Sequence, residues 1–375
     1  MQSQNIGISW QLSDRHGWGI FGFHLTHYLM MRGPLPPLLF TNPNFIGISD
    51  KIANEIRSYL CEEPNLQHTT MLHSLGNYFH ENNVSSNFRG RKNIGFAFFE
   101  NAIRDQASIA RAKSWDRLLV GSSWNRDICL NLGITNTTFI SQGVDLHQFY
   151  PSNKQGVPSK RFVIYSGGKL EYRKGQDLVL AAFKKFNMRH PDSLLVTAWQ
   201  NSWPESAISI TRSKHIEFAP KMDNKGSILM TKWAIDNGLP AESFVDLGWV
   251  SNARLPIILR EADIALFPSR AEGGTNLTAM EAMACGIPCI LSANTGHLDL
   301  IDTNNCYALT DLKSDPVEPE VWYQANVEEI ITKLEQAYTD TEDREQRGKQ
   351  GAESMKKLSW ESQIGKLIIA ITDLL

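Results

Sequence analysis

Residues 262–290, ADIALFPSRAEGGTNLTAMEAMACGIPCI, decide how the rest of the chain is read. Ile264 to Phe267 is a short unbroken apolar run, the pattern of a buried strand, and Pro268 and Ser269 end it. A loop carrying Glu272, Gly273 and Gly274 follows, then a helix predicted from about Asn276 to Cys285 with a second acid, Glu281, inside it. Gly286 can take the left-handed conformation that closes a helix, and Pro288 forbids continuation. A new apolar strand starts at Cys289. Strand, glycine loop, helix, strand is a βαβ unit, and its loop lies at the carboxyl end of the first strand, where open parallel sheets bind ligands. The amino end of the helix points free N–H groups and a positive dipole at the same spot. Two carboxylates beside an anion-attracting helix end predict a ligand rich in both hydroxyls and phosphate.

The segment FPSRAEGGTNLTAMEAMACGIPCI resembles the donor-binding segment of family-4 retaining glycosyltransferases, the glycosyl transferases group 1, whose pattern is E-G-F-G-L-x-x-x-E-A-M-A-x-G-x-P. The resemblance implies an α/β chain of GT-B architecture, two Rossmann-like doubly wound domains facing each other across a cleft. EAMACGIPCI aligns Glu281 with the second acid of the pattern. Eight residues separate Glu272 from Glu281, one more than the pattern has, so Gly273 stands at the spacing of the first acid. Glycine cannot do an acid's work, and Glu272 takes the role.

Length and composition agree with two globular domains. A chain of 375 residues is long enough for two cores, and 42% hydrophobic with 21% charged residues excludes wholesale disorder. A net charge of −3 argues against nucleic acid as the main partner. The five cysteines are odd in number and lack zinc-ligand spacing, which fits a reducing compartment. No signal peptide or membrane-spanning apolar run is read, so the expectation is a cytoplasmic protein, at most peripheral to a membrane.

In the amino-terminal half, Ile6 to Trp10 reads as the first strand, and Gly17-Trp18-Gly19-Ile20-Phe21-Gly22 spells G-x-G-x-x-G before a helix running to about Met31. A dinucleotide site would need an acid at the end of the next strand, but Leu38 to Phe40 runs into Thr41-Asn42-Pro43. Two readings stay open: a glycine-rich loop between donor phosphate and acceptor, as the resemblance implies with Gly17 and Gly19, or glycines that let a helix pack close to a sheet. Residues 45–62 read as an amphipathic helix, and Arg89, Arg91 and Lys92 as a solvated basic loop or a contact for an anionic acceptor or lipid headgroup. Asn93 to Phe99 reads as an apolar strand ending in Glu100, an acceptor-side candidate. Trp115 to Val120 is a further strand whose following serines can cap a helix. ISQGVD at 140–145, with Phe149 and Pro151, resembles the family's N-G-V-D-x-x-x-F-x-P segment. The polar Gly/Pro linker at 152–160 sets the domains at 1–155 and 156–355, with residues 356–375 a helix crossing back to the first domain.

The second half opens with a strand, Arg161 to Ser166, followed by GGKLEYRKG at 167–175 and a helix to about Phe186. This resembles the family's G-R-L-x-x-x-K-G motif, with Lys169 in place of arginine, and Arg173 can compensate. Trp199-Gln200-Asn201 replaces the V-G-x-G ending of relatives at a pocket wall. Phe244 to Val250 matches their strand beneath the nucleotide base, Asn252 to Glu261 reads as a helix, and residues 292–301 resemble their G-G-x-x-E-(L/I)-I turn. Residues 326–359 read as a solvated helical face.

The resemblance implies retaining transfer from a nucleoside-diphosphate sugar to a glycan, lipid-linked or other hydroxyl acceptor, in cell-surface polysaccharide or lipopolysaccharide synthesis. Lys169 and Lys174 would stabilise the departing diphosphate, Glu281 would hold the ribose and Glu272 the donor sugar. Gly273, Gly274, Thr275 and Asn276 would line donor sugar and phosphate. No protein nucleophile and no metal are implied. The alternatives are a nucleotide- or glycan-binding protein that keeps the fold without transfer, and a nicotinamide oxidoreductase using Gly17 to Gly22.

Overall fold

The computed structural model describes residues 4–62, 66–154, 161–201 and 203–375. The first half builds β1 (Asn5–Ile8), α1 (Gly17–Arg32), β2 (Pro37–Leu39), α2 (Asp50–Arg57), β3 (Thr69–Leu75), β4 (Lys92–Ala97), α3 (Gln106–Lys113), β5 (Arg117–Val120), α4 (Ser123–Asn131) and β6 (Thr137–Phe139). These strands form a six-stranded parallel sheet in the order β2-β1-β3-β4-β5-β6. Every residue of β3 is buried, as a central parallel strand covered on both faces requires.

The second half builds β7 (Phe162–Gly167), α5 (Gln176–Arg189), β8 (Ser193–Ala198), α6 (Met230–Asp236), β9 (Phe244–Asp246), α7 (Leu255–Leu259), β10 (Ile264–Phe267), α8 (Leu277–Ala284), β11 (Cys289–Ser292) and β12 (Tyr307–Leu309). A second parallel sheet results, ordered β12-β11-β10-β7-β8-β9. An antiparallel hairpin, β13 (Leu312–Ser314) and β14 (Tyr323–Ala325), precedes α9 (Val327–Thr339), α10 (Thr341–Met355) and α11 (Trp360–Ile371). Two Rossmann-like domains thus face each other across a cleft, the GT-B fold.

The central unit forms as its local signals dictate. β10 spans the expected residues, Asn276 caps α8, and Gly286 turns left-handed at φ +79° before β11. Elsewhere the elements are shorter or start earlier than the sequence suggests. The helix expected over 45–62 exists only as α2, which begins after Gly47 and is flanked by Ser49 and Ser58. The strand expected to Val250 stops at Asp246, ahead of Gly248 at φ +65°, and the helix expected over 252–261 is only α7. The charged stretch 326–359 is two helices split at Asp340, and α9 buries Ile330, Ile331 and Leu334 in the core rather than lying solvated. Residues 155–160, most of the linker expected at 152–160, lie outside the described residues.

The domains are tied at several points. α11 packs its buried face, Trp360, Ile364 and Leu367, into the core around β1 and α1. The Ser122 hydroxyl donates to the Gly273 carbonyl at 2.9 Å, and the Ser123 N–H donates to Asp299 at 2.8 Å. The Trp322 indole of the hairpin donates to the Glu100 carbonyl at 2.5 Å.

Candidate active site

The carboxyl ends of both sheets border one cleft of about 510 Å³. From β7 the chain runs through Gly167–Lys169 into a single tight turn, Tyr172–Lys174, and then α5. Gly175 joins the turn to the helix at φ +74°, and a Cβ there would come within 2.2 Å of the Pro268 carbonyl oxygen. Only glycine permits that approach, and it seats the 171–174 turn against the loop that follows β10.

Glu272 is the hub of what this approach creates. Both its carboxylate oxygens accept from the Lys174 ammonium at 2.8 Å, and Oε2 accepts from the Arg173 guanidinium at 3.0 Å. Ser269 Oγ at 2.7 Å and Asn276 Nδ2 at 3.1 Å complete its shell. Burial alone would raise its pKa; Lys174 and then Arg173 outweigh that and hold the carboxyl well below the usual range. Arg173 also bonds Glu171 at 2.6 Å and lies 3.5 Å from Glu100, across the domain boundary. Burial pushes the Glu100 carboxyl up, with Arg173 opposing.

Beneath this hub lies Arg270, fully buried. Its guanidinium bonds Asp177 through two nitrogens at 2.8 and 2.7 Å, Asp315 at 2.9 Å, Gln324 at 2.9 Å and the Tyr172 carbonyl at 2.5 Å. Its own N–H donates to the Arg173 carbonyl at 2.7 Å. The arginine therefore fastens the turn bearing Lys174 to the loop bearing Glu272.

Glu281 sits apart from that network, on α8. Burial raises its pKa to about 8 against the opposing hydrogen bond from Asn252 Nδ2 at 2.7 Å. Asn276, left-handed at φ 62°, donates from Nδ2 to both Glu272 and His297 Nε2, the latter at 3.0 Å.

Of the residues expected from sequence, Gly17, Glu100, Lys169, Arg173, Lys174, Glu272, Gly274, Asn276 and Glu281 all line this one cleft. Three others turn away from it. A Cβ on Gly19 would strike Ser13 at 2.4 Å, because α1 starts at Gly17 itself and there is no separate glycine loop; at Gly19 and Gly22 the glycines serve close packing. Gly273 faces the Phe98–Phe99 backbone, which a Cβ would meet at 2.7 Å, and the Thr275 hydroxyl is buried against the Met280 sulfur. Trp199 is also core rather than pocket wall, its indole bonded to Ser166, while its neighbours Ala198 and Gln200 line the cleft. The basic cluster is occupied: Arg89 pairs with Glu81, Lys92 with Asp116, and Arg91 bonds the Leu374 carbonyl.

Sequence reasoning missed Asn252, Tyr165, Trp203, Glu171 and Arg270 as site residues. Only Arg270 carried a signal, a charge at the end of an apolar strand. Among the described residues no group of three His, Cys, Asp or Glu side chains is arranged to hold a metal ion. No described helix is long and apolar enough to cross a membrane.

The family model for glycosyl transferases group 1 matches residues 151–354, more than half of the chain. The chain belongs to this family. It is a GT-B glycosyltransferase, and solved structures agree in fold. Sucrose-phosphate synthase from Thermosynechococcus elongatus superposes with a TM-score of 0.68 at 16% identity, over 99% of each chain. Anabaena HepE, in complex with UDP and glucose, does so with 0.66 at 12% identity over 99% of this transferase and 100% of that chain. The lipopolysaccharide outer core galactosyltransferase WaaB, in apo form, gives 0.59 at 12% identity over 99% and 100%. A comparison with curated proteins finds no match.

Proposed function

We propose that this glycosyltransferase moves a sugar from a nucleoside-diphosphate donor to a hydroxyl of a glycan or lipid-linked acceptor, with retention at the anomeric carbon. The observation that carries the reading is the Lys174–Glu272–Arg173 cluster at the carboxyl ends of β7 and β10, beside the amino end of α8. Breaking an anomeric bond builds negative charge on the leaving diphosphate, and fixed cations with a helix amino end stabilise it without reorganising. Lys174 and Arg173 supply that charge, with Lys169 at the rim. Glu281 and Asn252 bind the ribose, and Glu272 and Asn276 the donor sugar. Glu100, on the opposite wall, faces the acceptor. The first domain, to about residue 155, serves the acceptor and the second the donor.

HepE, of the same fold, holds UDP and glucose, and WaaB is a lipopolysaccharide galactosyltransferase. The first supports a nucleoside-diphosphate sugar as donor and the second a role in cell-surface polysaccharide or lipopolysaccharide synthesis, which we place at the cytoplasmic side of a membrane. The test is thermal unfolding with UDP, GDP, ADP and NAD, comparing wild type with Glu281→Ala. A ligand at about 100 times its Kd adds roughly 2.7 kcal/mol to stability. Stabilisation by one nucleoside diphosphate, lost in the variant, supports the reading and names the base. Stabilisation by NAD alone overturns it, and nucleotide binding without donor turnover reassigns the chain as a binding protein.

A further inference from the structure

Among the described residues, eight of the eighteen exposed large hydrophobic side chains lie within residues 203–249, an eighth of the chain. They belong to the excursion between β8 and α6, to α6 itself and to the sheet edge at β9 with the loop after it. The excursion is firmly held. The Trp233 indole and Asn237 Nδ2 donate to the Phe218 carbonyl at 2.8 and 3.0 Å, the Leu229 N–H donates to the Lys221 carbonyl at 2.8 Å, and Met222 bridges Ile228. Its inward side chains, Ala207, Ile210 and Ile228, are anchored in the core. The opposite set, Trp203, Ile208, Phe218, Met222 and Leu229, is left in water on an ordered backbone, which is costly unless something covers it.

The charges between these side chains indicate what covers them. Arg212, Lys214, Lys221 and Lys225 are exposed and make no ion pair among the described residues, whereas Lys232 is paired with Asp236. From Trp203 to Lys232 three carboxylates, Glu205, Glu217 and Asp223, stand against five cations, and Asp223 spends an oxygen on the N–H groups of Lys225 and Ser227. A locally basic surface in a chain of net charge −3, with aromatic and aliphatic side chains set among its lysines, matches an anionic lipid interface. Lysine stems lie along the apolar layer while their ammonium groups meet phosphate.

We propose that this face docks the transferase on an anionic lipid surface, with the cleft mouth, marked by Trp203, at the membrane. Trp203 lines the cleft, and the Lys169 ammonium stands 5.6 Å over its ring. The inference deepens the proposed function and rests on it for one point only: an acceptor hydroxyl carried on a lipid would reach the cleft from this side.

The experiment is co-sedimentation of the full chain with phosphatidylcholine vesicles, with and without phosphatidylglycerol, at low and high salt. Wild type is expected to bind only the anionic vesicles and to be released by salt. A cation at an anionic surface contributes roughly fivefold in affinity, so the combined Lys214→Glu, Lys221→Glu, Lys225→Glu variant should lose roughly a hundredfold or more. Phe218→Ser with Met222→Ser should also lose binding, while its thermal shift with nucleoside diphosphate stays at the wild-type value. That second readout separates failure of the lipid face from failure of the donor site. Wild type that ignores anionic vesicles overturns the proposal. So does binding that survives both variants, or a dimer in gel filtration that the Phe218 variant dissolves, which would give the face to a second copy of the chain.

Discussion

Glu272 receives the Lys174 ammonium on both carboxylate oxygens, 2.8 Å each, across 98 positions of sequence. The pair joins two loops that meet only because Gly175 lets one lie on the other. In the proposed reaction the ammonium serves the diphosphate, so the donor competes with Glu272 for it. Within this ion-pair network Lys169, Arg173 and Lys174 stand against Glu100, Glu171 and Glu272, three cations against three carboxylates before any donor arrives.

Lys174→Ala removes the cation closest to the hub. Turnover should fall roughly 100-fold or more, the scale of losing one transition-state stabiliser, with a smaller change in donor KM. Steady-state kinetics with the donor identified by thermal shift provide the check, and near-normal turnover removes Lys174 from the mechanism.

Glu272→Gln has the opposite effect on binding. It keeps the shape of the side chain and removes the charge holding Lys174, so the ammonium becomes available to phosphate. Nucleoside diphosphate should bind more tightly than to wild type, by several-fold, while transfer slows. Calorimetric titration with the free diphosphate decides it: equal or weaker binding would mean that Glu272 does not restrain Lys174.

How far this site could be read beforehand depended on the range of each interaction. The β10–α8–β11 unit was legible because its signals are local: an apolar run, a capping asparagine, and Gly286 and Pro288 as a stop. The clustering of Lys174 and Glu272 at strand ends followed from βαβ topology. Whether Gly19 faced a ligand or the chain beneath α1 was not legible, since the answer is set by Ser13 packing there. The extra residue of the Glu272 loop is accommodated by turning Gly273 towards Phe98 and Phe99 of the other domain, a contact no local pattern encodes. Asn252, 29 positions before Glu281, was invisible for the same reason.

Glu281 should leave a signature in the pH dependence of stability. Its pKa is raised to about 8 in the folded, donor-free protein by burial, against the weaker effect of Asn252, and returns to the ordinary carboxylate value on unfolding. Between those values the folded state binds the extra proton, so stability falls as pH rises through that window. Glu281→Gln should flatten the fall in Tm on going from acid to pH about 8, and be at least as stable as wild type at the upper end. A wild-type Tm that rises across this range, or an unchanged slope in the variant, would show that Glu281 is ionised when the site is empty.

Arg270 is expected to be the most sensitive position of the site although it does not line the cleft. All its N–H groups are committed, to Asp177, Asp315, Gln324 and the Tyr172 carbonyl, and the Tyr172 ring lies against the guanidinium at 3.6 Å. Arg270→Met fills similar space but leaves two fully buried carboxylates without their cation, which typically costs about 3–5 kcal/mol. Arg270→Lys keeps a charge and loses the planar fork, so it should fall between Met and wild type in urea unfolding. Turnover should fall more than stability requires in the lysine variant, because the turn carrying Arg173 and Lys174 hangs on this guanidinium through the Tyr172 carbonyl. A lysine variant that unfolds early yet retains full turnover per folded molecule would make Arg270 a stabiliser of the domain and nothing more.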